Sequence, residues 1–200
     1  MSHLPKHDFW DFSLRLYSSD GVPEVCLRLQ DALGLDVNIA FFCLWWSNPE
    51  AALLDQERFD AIVRPAIEWH NAVVLPTRAA RKAVKAELTR LSGDESTGVY
   101  RKLLEIEIET EHAEQIILAR SAEEQTRTRP RGSEVSSHRA ARNIALYRRH
   151  LTGGLTAKDC EDLGTLLSIG CRTTQDVALS QLAEWGLCPS RRVEDSQLHT

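Results

Sequence analysis

Residues 37–46 read Val37-Asn38-Ile39-Ala40-Phe41-Phe42-Cys43-Leu44-Trp45-Trp46, and after Asn38 every side chain is apolar. A run with no polar face is not an amphipathic surface element, and it falls far short of the roughly 18–20 apolar residues that a membrane span needs. Asp36 stands where an N-cap belongs, so the stretch predicts a central helix buried by neighbours on every side. Asn38, the one polar residue within it, must find hydrogen-bond partners there.

The surroundings of this run agree with it. Ten of the thirteen aromatic residues, four of the five tryptophans among them, lie between Phe9 and Trp69. Aromatic side chains bury large areas, which puts the core in the N-terminal third. Upstream, Asp8 is placed to cap a helix in which Phe9, Phe12 and Leu16 adjoin a second apolar row, Trp10, Leu14 and Tyr17. Pro23 sits in a first helical turn, followed by Val22, Val25, Cys26, Leu29 and Leu33 at helical spacing, with Gly34 as the stop.

Downstream, Ser47-Asn48-Pro49-Glu50 reads as the next helix start. A long helical stretch carries the row Phe59, Ile62, Ala66, Trp69 and Val73, and Pro65 and Pro76 are expected to kink or divide it. Beyond Pro76 the pattern predicts Ala80, Val84, Leu88 and Leu91 facing inward and Arg78, Arg81, Lys82 and Lys85 forming an outer basic ridge.

Residues 92–98 read as a loop. Leu104–Thr110 alternate apolar and acidic like a strand, but glutamate favours helix and the flanks are helical. Val99, Leu103, Ile106, Thr110, Ala113 and Ile117 then form a seam against an antiparallel neighbour, the preceding basic helix. Residues 121–133, rich in Arg, Thr, Ser, Pro and Gly, read as a flexible connector. Ser133 is placed to cap a helix with Ala140, Ile144, Tyr147 and Leu151 on its seam. Thr156 with Asp159 reads as a capping box, Thr173 or Thr174 opens one more helix, Gly186 stops it, and residues 188–200 read as a disordered tail.

The fold expected is therefore all-α, a compact multi-helix bundle of about seven to nine helices around the buried helix at 37–46. In domain terms this is an aromatic-rich helical core over 8–120, a connector over 121–133 and a C-terminal helical extension over 134–187.

Composition narrows the class. The chain of 200 residues is 42% hydrophobic and 26% charged, ordinary for a soluble globular protein. MSHLPKHDFW lacks the apolar core of a signal peptide, which sets the expectation of a cytoplasmic protein without a membrane span. The five cysteines (Cys26, Cys43, Cys160, Cys171, Cys188) are odd in number and show no C-x-x-C spacing, so buried free thiols are expected rather than a disulfide framework or a zinc site. The net charge of −5 conceals blocks of alternating sign: −6 over 1–70, +4 over 71–102, −6 over 103–126, +6 over 127–150 and −3 over 151–200. A sequence pI near 5.8 and the acidic block between two basic ones disfavour nucleic acid as a partner.

No nucleotide, metal or cofactor motif stands out. The reading favours a non-catalytic binding or adaptor module that meets an acidic protein surface through Arg78, Arg81, Lys82 and Lys85. The competing reading is a small helical enzyme or ligand binder with a pocket lined by Trp10, Trp45, Trp46 and Trp69, and with His70 and Glu68 as acid–base groups. Glu109 and His112 have the E-x-x-H spacing of di-iron helices, but no second copy exists and a solvated acidic face explains them better.

The blocks Phe9-Trp10, Phe12-Ser13-Leu14, Leu16-Tyr17, Gly21-Val22, Cys26-Leu27, Leu29-Gln30-Asp31, Gly34, Asp36-Val37-Asn38 and Phe42-Cys43-Leu44-Trp45 resemble a proteobacterial family of hypothetical proteins known as a domain of unknown function. Trp69, Val73-Val74, Pro76, Arg78 and Arg81-Lys82 resemble its second shared block, with Thr77 where that family has leucine. The resemblance implies a bacterial, cytoplasmic, helical protein. It brings no activity with it, so no functional residue is carried across.

Overall fold

A computed structural model describes residues 4, 5, 7–92, 98–130 and 134–189. Among these there are nine α-helices and no strand: α1 (Asp8–Tyr17), α2 (Val22–Leu33), α3 (Val37–Trp45), α4 (Gln56–Trp69), α5 (Leu75–Ser92), α6 (Gly98–Thr126), α7 (Ser137–Tyr147), α8 (Ala157–Cys171) and α9 (Gln175–Glu184). A π-turn, His70–Val74, joins α4 to α5, and a 3-10 turn, Arg148–His150, follows α7. No described helix is long and apolar enough to cross a membrane. The chain divides into two compact units, Met1–Arg15 with Glu50–Ser133, and Leu16–Pro49 with Glu134–Thr200.

The second unit is built on α3. Asp36 caps it, its carboxylate accepting from the Asn38 N–H at 2.9 Å, and every residue from Ile39 to Trp46 is buried. Helices α7 and α8 pack on it. Asn143 of α7 donates to the Cys43 carbonyl at 3.0 Å, and the Tyr147 hydroxyl accepts from the Asp36 N–H at 2.9 Å. On α8 the approach is so close that a Cβ at Gly170 would overlap a terminal methyl of Leu44, which would have to shift to admit a larger residue. Helix α2 is pinned to α8 by Arg28, whose guanidinium forks onto Asp162 at 2.7 and 2.8 Å. That carboxylate is held below its ordinary value by Arg28 first and Lys158 second. Gly34 ends α2 in the left-handed conformation, Thr156 and Asp159 form the expected capping box, and Thr174 caps α9.

Three local expectations are corrected here. Ser47–Glu50 is a turn rather than a helix start, because its polar groups are engaged elsewhere: the Ser47 hydroxyl donates to the Leu44 carbonyl, and the Asn48 amide donates to the Glu134 carbonyl at 2.8 Å. Helix α4 starts later, with Asp55 accepting from the Arg58 N–H. The α7 cap is Ser136, accepting from the Arg139 N–H, while Ser133 lies outside the described residues. Cys160 and Cys188 form a disulfide, whereas Cys26, Cys43 and Cys171 are free. The turn after α9, with Gly186 left-handed, brings Cys188 back to α8, a closure that cysteine parity and spacing do not encode. Cys188 is buried within the segment expected to be a tail; residues 190–200 lie outside the described residues.

In the first unit, α4, the π-turn and α5 run continuously, and α6 packs antiparallel along them. Pro76 explains the interruption. It has no N–H to return to the preceding turn and its ring crowds the carbonyl there, so the helix widens: the Leu75 N–H donates to the His70 carbonyl five residues back. Helix α6 continues through Ser121–Thr126, over the first half of the expected connector. Its Ala122 is fully buried, and that burial outweighs the polar composition around it. Of the rest, 127–130 lack regular structure and 131–133, like the loop at 93–97, lie outside the described residues.

Candidate functional site

The extra residue held in the π-turn decides which face of α5 meets α6. The buried row on α4 is Phe59, Ile62, Val63 and Ala66. Uninterrupted α-periodicity carries such a row on to Val73, Ala80 and Val84, since each residue adds ~100°. One added residue turns the following helix by about that amount. Val74 is consequently buried, Arg78 and Arg81 turn toward α6, and Ala80 is exposed.

Helix α6 answers with three glutamates at i, i+4 and i+7, namely Glu107, Glu111 and Glu114. Arg78 donates from Nε to Glu107 Oε1 at 3.1 Å and from Nη2 to Glu111 Oε1 at 2.6 Å. Arg81 donates to both oxygens of Glu107, and its guanidinium lies 5.9 Å from the Tyr100 ring centroid. Burial alone pushes the Glu107 carboxyl upward, but hydrogen bonds and charge from Arg81 and then Arg78 outweigh it and hold the group below the usual carboxylate range. Arg78 mirrors this, with burial opposing its charge and Glu111 and Glu107 restoring it.

The seam continues past the arginines into the π-turn. His70 Nδ1 lies 3.3 Å from Glu114 Oε2, and Glu114 is fully buried. Next to it the Trp69 indole donates to the Thr110 carbonyl at 2.9 Å. The acid that meets His70 is thus Glu114, not Glu68, which is exposed on the far side of the helix.

The expected outer ridge is therefore not a ridge. Arg78 and Arg81 belong to the α5–α6 seam, Lys85 is half-buried, and Lys82 alone of the four is fully on the outside. The outward face of α5 is instead Leu75, Ala79, Ala83 and Ala86, with Leu75 43% exposed. The seam expected on α6 is corrected in the same way: Val99 and Ile106 are 58% and 47% exposed, and Glu107 is buried in their stead.

The remaining candidates separate. His112 is buried with its ring stacked on Trp10, centroids 4.1 Å apart, while Glu109 is exposed, and neither belongs to a cluster of three metal-ligating groups among the described residues. Burial and then the neighbouring His7 lower the His112 pKa, which favours the neutral ring. The four tryptophans fall in different units: Trp10 and Trp69 in the first, and Trp45 and Trp46 in the second, where both pack against Phe42. A cleft of about 350 Å³ does exist in the second unit, but it is lined by α8, α9 and the segment after them, and no tryptophan reaches it.

Glu107, Glu114 and the Trp10–His112 stack were not singled out in the sequence. A signal for the first two was present: the acidic row at i, i+4 and i+7 lies on one face of α6, the complement of a basic helix once the two are taken as partners.

The model of a family described as a protein of unknown function, DUF2390, matches residues 8–118, a stretch that runs from α1 through α5 and over most of α6 and so contains the whole charged seam. No curated protein and no solved structure matches the chain. With more than half of its length matched by that model, the chain belongs to the DUF2390 family of proteins of unknown function.

Proposed function

We propose that this protein is a non-catalytic helical module that binds an acidic protein surface through the outward side of the α5–α6 hairpin. The observation that carries the reading is the inversion of α5. Its arginines are consumed inside, which leaves Leu75, Ala79, Ala83 and Ala86 exposed on α5, while Val99 and Ile106 are exposed on α6. Large exposed apolar side chains gathered on one hairpin mark contact surfaces more often than scattered ones do. Lys82, Arg101 and Lys102 are exposed along the same hairpin and supply the charge that selects an acidic partner. The internal seam fixes the relative register of the two helices, so the outer surface is presented preformed.

The test compares the parent with a Leu75→Asp, Ile106→Asp variant of retained helicity. Proteins captured from cell extract by the parent and lost by the variant are purified, and their affinity for both is measured. A loss of tenfold or more in affinity supports the reading; identical capture by both chains refutes it.

One observation favours the enzymatic alternative. Glu114 on His70 Nδ1 is the arrangement that orients an imidazole for proton transfer. A reactive imidazole must be reachable by solutes, so modification of His70 by an acylating reagent, absent in His70→Gln, is the outcome this alternative requires.

A further inference from the structure

Cys160 lies on the second turn of α8, and the chain returns to it after α9 through the left-handed turn at Gly186. There the Gly186 N–H donates to the Ala183 carbonyl at 2.9 Å and the Leu187 N–H to the Leu182 carbonyl at 3.0 Å. Leu187 and Cys188 are buried, and the disulfide joins Cys188 to Cys160 across 28 residues of sequence with the two Cα atoms 5.7 Å apart. Both backbone bonds tie the segment to α9, its own helix. The disulfide ties it covalently to α8, where the Cys160 sulfur also lies 3.8 Å from the Leu187 carbonyl.

The bond also borders open space. The cleft of about 350 Å³ is lined by Cys160 and Cys188 with Ala157, Leu179, Ala183 and Pro189, and its wall also carries the acidic residues Glu161, Asp176 and Glu184. A small solute that enters it arrives beside the disulfide between apolar and acidic side chains. The other cysteines are unsuited to thiol chemistry: Cys26 and Cys43 are buried, and burial pushes the Cys26 and Cys171 thiols up to about 12. Cys171 is half-buried, so Cys160 and Cys188 are set apart by the cleft they border and not by exposure.

We propose that Cys160–Cys188 is a redox-operated clasp, opened by a dithiol reductant acting through the cleft, which releases Leu187–Pro189 from α8 and exposes the Leu187 side chain, buried in the closed form. In the exchange one thiolate of the reductant bonds to one cysteine sulfur and the Cys160–Cys188 bond breaks. The second reductant thiolate then displaces that cysteine and closes the reductant's own disulfide. The protein gains two electrons and two protons and leaves with two thiols; the dithiol is oxidised by the same amount. Reoxidation by a disulfide of higher potential runs the sequence backwards and closes the clasp.

The test uses the full chain and dithiothreitol. Alkylation in denaturant without reductant labels three cysteines, and five after reduction; five without reductant overturns the proposal. Hydrogen exchange then reads the opening. Reduction under native conditions accelerates exchange over 182–189 at least tenfold and leaves α2 and α3 unchanged, Cys188→Ser exchanges at the fast rate with or without dithiothreitol, and removing the reductant under air restores the slow rate in the parent. Exchange over 182–189 that is insensitive to reduction, or a bond that yields to dithiothreitol only in denaturant, shows a permanent staple and defeats the clasp.

Discussion

Helix α3 in the second unit and helix α5 in the first make opposite use of the same chain chemistry. Around α3 the contacts are mostly apolar, with polar contacts at its cap, from the Asn143 amide to the Cys43 carbonyl and from the Ser47 hydroxyl to the Leu44 carbonyl. Along α5 the contact with α6 is ionic, and the small apolar residues face out. The difference teaches that a buried face and an apolar face need not coincide. Where two facing helices carry complementary charges at matching spacing, guanidinium–carboxylate forks satisfy one another and that face is buried. The two contacts should therefore respond to mutation in different ways.

The largest expected effect is in the apolar contact. Phe42 is fully buried and its ring packs on Trp45 and Trp46, centroids 6.3 and 5.6 Å away. Phe42→Ala removes the ring and leaves a cavity in a region without slack, a loss of about 3–5 kcal/mol. Guanidinium denaturation followed by tryptophan fluorescence measures it. A cost under about 1 kcal/mol would mean that α3 is not held as described.

The ionic contact should break more cheaply and be replaceable. Glu107→Ala leaves Arg81 without its carboxylate and Arg78 with Glu111 alone; since both arginines keep partial access to water, the expected loss is about 2 kcal/mol rather than the larger figure for a fully enclosed pair. Replacing all four groups, Arg78→Met, Arg81→Leu, Glu107→Leu and Glu111→Gln, removes the desolvation cost together with the attraction and should leave stability unchanged or raised. No comparable rescue exists at Phe42. If the quadruple variant is as unstable as Glu107→Ala, the seam contributes stability that apolar packing does not supply.

This contrast also accounts for what the sequence made legible. Helix α3, its Asp36 cap, the Gly34 stop, the Thr156–Asp159 capping box and the all-helical class were readable because each rests on local chemistry or on apolar periodicity, which propagates along one helix without knowledge of its partner. Val84, Leu88, Leu103 and Ile117 sit half-buried as expected, but Arg78 and Arg81 turn inward and Ala80, Val99 and Ile106 outward, for two physical reasons. Hydrophobicity was taken to mark the inside, which holds for α3 and not for a seam of matched charges. The π-turn also adds a residue that rotates everything after Val74, and only the backbone reveals it. The Cys160–Cys188 bond was missed because it depends on a long-range return of the chain. At the site itself Arg78, Arg81 and His70 were picked out, but not their acceptors, because pairing is a property of two helices and not of one.

A smaller, pH-dependent effect separates the units again. His7 and His112 are both held neutral in the first unit: burial lowers each pKa, with Arg129 adding to the effect at His7 and His7 adding to it at His112. In the unfolded chain an imidazole titrates near about 6.5. Stability is thus full above that value. It falls as the pH drops through it, because the unfolded chain takes up protons first, and it levels off once the folded rings protonate as well. Denaturation midpoints between about pH 7.5 and 5.5, above the range where carboxylates titrate, should decline in the parent. In a His7→Gln, His112→Phe variant, which keeps a ring against Trp10, they should stay level. A parent that is flat over this window would show that both rings titrate normally.

The finest test lies in two adjacent residues. Arg81 and Lys82 are both cations on one turn of α5, and nothing in composition or charge pattern ranks one above the other. In the structure Arg81 is locked onto Glu107 and lies over the Tyr100 ring, whereas Lys82 stands on the outside. Arg81→Ala should therefore cost about 1–2 kcal/mol, through a charged hydrogen-bonded partner left behind. Lys82→Ala should stay within about 0.5 kcal/mol of the parent. Equal effects would mean that α5 meets α6 in the rotation apolar periodicity predicts. Unequal effects in this order support the rotation the structure shows, because neighbouring residues of a helix point about 100° apart and only one of the two cations can then meet Glu107.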